Sequence, residues 1–169
     1  AADVLLRLAA TIGIALPSFV IAGICIIVFV FQLRLLPAAG WGSARQIVLP
    51  AFCLGAPYAA YVARIARTSM LDVLSQDHIR TARAKGVGPA RVALVHALRG
   101  ALLPVVSFLG PAVAGILTGS LVVESIFAIP GFGRLAQEAV SGRDTALLTG
   151  IIVTSALLVI LVNLAVDIV

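Results

Sequence analysis

Two histidines and two cysteines are the side chains in this sequence best suited to nucleophilic or metal chemistry, and their spacing suits neither. His78 and His96 stand eighteen residues apart without a neighbouring cysteine, and Cys25 and Cys53 form no C-x-x-C or zinc-like pattern. The cysteines lie inside separate apolar runs and read as small buried hydrophobes, while the histidines read as surface or interface groups. There is no H-E-x-x-H, no G-x-S-x-G and no pair of aspartates inside an apolar run, and Gly119-Ser120 has no histidine in its apolar surroundings. G-x-x-x-x-G-K-S/T is missing too, so the chain has no phosphate-cradling loop of that kind. The expectation is a chain that is not an enzyme, binds no metal or cofactor of its own, and leaves any ATP to be hydrolysed by a partner.

The charged residues carry more information. Of 169 residues, 62% are hydrophobic and 11% charged, against about 25% charged in ordinary soluble domains. So few charges cannot furnish the polar shell of a soluble fold, and lipid must solvate much of the chain. The 12 basic and 7 acidic residues give +5, and Lys85 is the only lysine. These bases sit between apolar runs without interleaved aromatics, so they fit lipid headgroups and membrane orientation and not nucleic acid.

The elements that must position these groups follow from counting uncharged stretches. Arg7 and Arg34 bracket 26 residues, Arg45 and Arg64 bracket 18, Arg99 and Glu124 bracket 24, and Asp144 and Asp167 bracket 22. Each reaches the roughly 17 to 25 residues of a spanning helix. The expected fold is all-α, a polytopic membrane helix bundle with four spans over about 8–33, 46–63, 100–123 and 145–166. Pro50 and Pro57 interrupt the second run, which membrane helices tolerate where neighbours satisfy the freed backbone groups. The first run exceeds the apolar core of a signal peptide. The chain starts at Ala1 without methionine and stops at Val169 after an apolar segment, as expected of a piece of a longer protein. If the spans alternate, one side receives Arg7 and the 64–99 segment with eight bases, and the other receives Arg34, Arg45, Arg134 and Arg143. The positive-inside rule then places 64–99 in the cytosol and the 124–144 segment outside.

The 64–99 segment is too long for a simple helix connection. Residues 62–84 contain neither Gly nor Pro, which predicts one helix running out of the membrane. Gly86, Gly88 and Pro89 break it, and a short second helix is expected from about Pro89 to Arg99. Val92, Val95 and Leu98 recur on it at three-residue steps, with basic Arg91 and Arg99 near its ends. Two readings of this helix are open on spacing alone: it lies flat on the inner leaflet, or it lodges in a groove of a cytosolic protein.

Arg80-Thr81-Ala82-Arg83-Ala84-Lys85-Gly86 followed by His96-Ala97-Leu98-Arg99 resembles the cytoplasmic loop of bacterial ABC importer permeases, more narrowly those of the dipeptide, oligopeptide and nickel branch. The general pattern there is E-A-A, three residues, G, nine residues, I-x-L-P. This chain keeps Ala82, Gly86 and Leu98 but has Arg80, Thr81, His96 and Arg99 in the other marked slots, as the peptide branch usually does. Leu16-Pro17-Ser18-Phe19, Leu36-Pro37-Ala38, Ser69-Met70-Leu71, Leu102-Leu103-Pro104, Val122-Val123-Glu124-Ser125-Ile126-Phe127 and Pro130-Gly131-Phe132-Gly133-Arg134 are similar to that family in the same order.

The resemblance implies an importer subunit in the bacterial inner membrane, with about two further spanning helices in the full subunit. Its implied partners are a homologous second permease, two cytosolic ATPase subunits or domains and an external solute-binding protein. It assigns ATPase coupling to the stretch Arg80, Thr81, Ala82, Arg83, Lys85 and Gly86, and to Gly88, Pro89, Arg91, Val92, Val95, His96 and Leu98 beyond it. Gly86 and Gly88 are expected to allow backbone geometry that side chains obstruct. Glu124, Pro130, Gly131, Phe132 and Arg134 fall at the expected solute entrance, where Glu124 is either an ordinary interfacial carboxylate or an outer gate paired with Arg134 or Arg143, and where Pro130-Gly131-Phe132-Gly133 is equally a plain turn between two helices. Ser107, Thr118, Ser120, Thr154, Ser155 and Asn163 are the polar groups available to a lumen, though such residues often bond their own backbone. Gly115 and Gly119 form a G-x-x-x-G suited to close helix packing. The alternative function is an ion-gradient-driven carrier or channel component, disfavoured because the four runs hold no Asp, Glu, Lys or Arg.

Overall fold

A computed structural model describes residues 16–168, and every regular element among them is a helix. Helix α1, Ser18–Gln32, starts after Pro17 and loosens into π-helical turns from Ile26 onward. Its described part is shorter than a full crossing, and residues 8–15 of the expected first span lie outside the described residues. Helix α2, Ala44–Leu74, opens where the Ser43 backbone N–H donates to Gln46 Oε1 at 3.0 Å and carries Pro50 and Pro57 inside it. Its 31 residues extend about 46 Å at 1.5 Å each, well beyond the roughly 30 Å hydrocarbon core. One end must therefore project from the lipid.

That projecting end departs from expectation in two places. The helix expected to run unbroken through 62–84 stops at Leu74, where the Ser75 hydroxyl donates to the Asp72 carbonyl at 2.7 Å. No glycine or proline marks this end, and the similar hydroxyl bond of Thr68 to the Arg64 carbonyl lies inside the helix without stopping it. The chain then turns into the short α3, Asp77–Ala84. In the second departure, the helix from Pro89 does not end near Arg99. It passes through a π-helical stretch, Val92–Ala97, into one continuous element, α4, Pro89–Leu117. Gly100 is no break there because a lone glycine inside a helix costs only about 1 kcal/mol relative to alanine.

Beyond α4, Gly119 at φ +86° turns the chain into α5, Leu121–Phe127, and then α6, Phe132–Ser141. The 124–144 segment, expected as a loop, is thus largely helical. Asp144 caps the final helix α7, Thr145–Asp167, accepting the Leu147 N–H at 2.9 Å. Among the described residues three helices, α2, α4 and α7, are long and apolar enough to cross a membrane.

Helix α4 is the axis of the bundle, packing on α2 along one side and α7 along another. One core joins Ile21, Ala22 and Cys25 of α1 to Leu49 and Cys53 of α2 and to Val123 and Phe127 of α5. Both cysteines are buried in it and free, although they come from different apolar runs. Helix α7 contributes no buried residue and keeps apolar side chains outward along its length, the pattern of a helix solvated by lipid or by further protein.

The α4–α7 crossing depends on Gly110. A Cβ there would meet Asn163 Oδ1 at 2.7 Å and Val166 Cβ at 3.4 Å. Gly110→Leu is expected to destabilise the bundle by about 1 to 3 kcal/mol through overpacking. An unchanged melting temperature in detergent would show that the helices do not cross at this point.

Candidate functional site

Two clusters of the sequence-singled residues come together, at opposite ends of the bundle. The first is the elbow formed by α3, the turn after it and the start of α4. Ile79 and Ala82, one turn apart on α3, are buried against Val73, Val92, Ala97 and Ala101. This small core fixes how α3 stands on the two long helices. Ala82 and Val92 thus hold the elbow from inside and are not available to a partner. Leu98 is half-buried, and Arg80, Thr81, Arg83, Lys85, Gly86, Gly88, Pro89, Arg91, Val95 and His96 are exposed, as is His78. Ile79 was the missed member. Its three-residue spacing from Ala82 is the signal that marks the inner face.

The turn after α3 is a Schellman motif. Gly86 N–H donates to the Arg83 carbonyl at 3.0 Å and Val87 N–H to the Ala82 carbonyl at 3.2 Å. Gly86 takes φ +80°, where a side chain strains the backbone and glycine does not. Gly88 differs from the expectation of special geometry: it sits at φ −63°, open to any residue, and serves as N-cap before Pro89. On the outer face Arg80 and Asp77 approach to 3.5 Å, with both side chains mostly exposed, so the pair adds little stability. What the elbow offers outward is a basic ridge of about two turns, with Leu94 and Val95 exposed beside it.

At the other end, Glu124 is only 5% exposed. Its Oε2 accepts the backbone N–H of Arg134 at 2.8 Å, which caps the N-terminus of α6. The expected gate pairing is therefore not formed by the Arg134 side chain, whose Nε donates instead to Glu138 Oε1 at 3.1 Å. No ion pair between Glu124 and Arg143 occurs among the described residues. Glycines surround the carboxyl: a Cβ on Gly119 or Gly131 would collide with it, and one on Gly133 would meet Glu124 Oε2 at 3.1 Å and the Leu121 backbone N at 2.7 Å. Pro130-Gly131 is the break between helices, whereas Phe132 and Gly133 already belong to α6. Ala128, at φ +53°, ends α5, and the Ile129 N–H closes it onto the Glu124 carbonyl at 2.9 Å. Phe132 is half-buried; Pro130 and the Arg134 side chain face out.

The remaining polar candidates are mostly used within their own helices. Ser107, Thr118, Thr154 and Asn163 donate to the carbonyls of Leu103, Ala114, Gly150 and Val159. Gly115 and Gly119 line the same hollow but make room for different side chains. The first gives room to the Tyr58 hydroxyl and the second to Glu124.

Apolar helices of crossing length, tied at one end by a charged elbow and at the other by a capped helical hairpin, define a multi-pass membrane protein. Compared with known families, residues 1–169 match the binding-protein-dependent transport system inner membrane component, and the chain belongs to that family. It is 45% identical over 168 residues to an oligopeptide transport system permease protein of Haemophilus influenzae, covering 98% of this chain and 55% of that protein. Against a dipeptide transport system permease protein of Bacillus subtilis it is 45% identical over 158 residues, covering 94% and 51%. A glutathione transport system permease protein of Escherichia coli is 44% identical over 165 residues, covering 96% and 54%. The chain spans about half the length of the curated relatives it matches.

Proposed function

We propose that this chain is part of the transmembrane subunit of an ATP-driven importer in a bacterial inner membrane, forming part of the path for peptides or similar small solutes. The elbow carries the proposal. A lever that passes a partner's closure into the membrane has to be stiff, to have a fixed angle, and to present an outward face. Helix α3 is locked by its own core, held at its end by Gly86, and exposes Arg80, Thr81, Arg83 and Lys85. In this reading two cytosolic ATPases burn the nucleotide, a homologous permease completes the path, and an external binding protein delivers the solute. This reading gives the chain itself no nucleotide site.

A cysteine placed at Arg83 is expected to form a disulfide cross-link with a cysteine in the groove of a co-expressed ATPase, in a background where Cys25 and Cys53 are replaced. The yield is expected to change when ATP and vanadate are added. Cross-linking at no tested pair, or uptake that persists in cells lacking both ATPases and follows a proton gradient, would overturn the proposal in favour of the ion-coupled carrier.

A further inference from the structure

One face of α2 is unaccounted for by the elbow or the glutamate cage. Positions 54, 57, 58, 61, 64, 65, 68, 69 and 72 recur at helical steps and make a single stripe. From 54 to 72 the stripe runs about 27 Å, close to the thickness of a hydrocarbon core. Two hollows lie along it, one between α2 and α4 and the other closed on a third side by Leu16 and Ser18 at the start of α1. The one away from the elbow, of about 290 Å³, is neutral, with Leu54, Pro57 and Tyr58 facing Gly115 and Gly119. The one at the elbow end, of about 320 Å³, is walled by Tyr61, Arg64, Thr68, Ser69 and Asp72, with Pro104 opposite. Phe108 of α4 marks the junction, stacking on Tyr61 at 4.7 Å between centroids and on Tyr58 at 6.5 Å.

The second hollow carries both signs of charge. The Arg64 guanidinium lies 4.8 Å from the Tyr61 ring centroid, an arrangement that holds a cation in place by its attraction to the ring face. Asp72 is two turns further along, about 12 Å down the axis. Among the described residues neither has an ion-pair partner, and they stand too far apart to neutralise each other. Between them Thr68 spends its hydroxyl on the Arg64 carbonyl at 3.0 Å, leaving a neutral floor.

We propose that this hollow is an exit site for zwitterionic peptides, with Arg64 receiving the terminal carboxylate and Asp72 the terminal ammonium. The proposal rests on the importer reading, which puts this end of the bundle at the cytosolic mouth. Spacing sets the size. The Arg64 guanidinium leans over Tyr61, away from Asp72, so the charges stand further apart than the backbone rise. An extended chain advances at most about 3.3 to 3.6 Å per residue, so only a peptide of four residues or more, with a hydrogen bond at each end, can reach both poles. A phosphoethanolamine headgroup, whose charges are one ethylene bridge apart, cannot. The neutral floor leaves the peptide's side chains unread, as a carrier of varied sequences requires. A peptide lying on these poles emerges amino terminus first.

The test uses the assembled transporter in nanodiscs without its external binding protein, titrated with tetra-alanine, its C-terminal amide and its N-acetyl form. Arg64→Gln is expected to weaken tetra-alanine about tenfold, the loss of one charge-assisted hydrogen bond, while the amide binds wild type and variant alike. Asp72→Asn is expected to give the mirror result with the N-acetyl form. Equal losses for free and blocked peptides, no loss at all, or a fall in bound phospholipid with peptide binding unchanged would each overturn the exit site. In sealed proteoliposomes with the external binding protein restored, ATP-driven uptake that stays at wild-type rate in both variants would remove the site and leave the importer reading standing, whereas wild-type complex that never imports under ATP would strike the importer reading itself.

Discussion

Gly133→Val is expected to unseat helix α6 and to lower the amount of folded protein in the membrane several-fold. The clash is with backbone, because a Cβ at this position would lie 2.7 Å from the Leu121 N and 2.9 Å from its Cα. A flexible side chain could rotate away, but the first turn of α5 cannot. The same methyl group crowds the Glu124 carboxyl, so overpacking and loss of the α6 cap act together, at about 2 to 4 kcal/mol. That is a large share of the 5 to 15 kcal/mol typical of a folded protein. Glu124 gives the companion experiment. Glu124→Gln keeps an acceptor for the Arg134 N–H and is expected to melt close to wild type, while Glu124→Ala loses the cap and opens a cavity. Arg134→Gln removes only an exposed pair with Glu138 and is expected to shift stability by less than about 0.5 kcal/mol. If Arg134→Gln proved as damaging as Glu124→Ala, the guanidinium and not the backbone would be the partner that matters.

That contrast also shows what the chain reveals before it is folded. Glu124, Gly131 and Arg134 could be singled out by type and position, and their meeting at one end of the bundle is observed. Which atom of Arg134 reaches the carboxyl could not be read, because a backbone N–H is common to every residue and leaves no mark in the sequence. Three of the four expected crossing helices were legible from uncharged run lengths, since lipid penalises charge along a whole segment. Helix ends were less so. Helix α2 ends at Leu74 with no glycine or proline to mark it, whereas Gly100 stops nothing, and residue type alone ranks those two places the wrong way round. The elbow's exposed bases were legible, but its inner core was not: Val92 looks like a partner contact until Ile79 is seen to fold back over it. The stripe on α2 mixes Leu54, Tyr58, Arg64 and Asp72, and so gives no apolar periodicity to find.

Gly86→Asp is expected to leave the transporter assembled while lowering uptake at least about tenfold, because the energetic cost falls on one turn and not on the core. At φ +80° a non-glycine residue bears about 1 to 2 kcal/mol of backbone strain, yet a Cβ at Gly86 would have nothing within 4 Å. The substitution therefore creates no clash that could unfold the bundle. Its relief comes from rotating φ, which breaks the Val87 N–H bond to the Ala82 carbonyl and frees α3 to change its angle on α4. A lever whose angle is not fixed binds its motor but does not transmit the stroke, so ATPase subunits should co-purify in normal amounts and hydrolyse ATP without driving uptake. Asn at the same position tolerates the left-handed region better and is expected to fall between wild type and Asp. Gly88→Ala is the control, since Gly88 already occupies backbone space open to any residue, and its uptake should stay near wild type. Equal loss at Gly86 and Gly88 would mean that bulk in the turn, and not its backbone geometry, controls coupling; loss of the ATPases from the purified Gly86→Asp complex would mean that the turn itself is the docking surface.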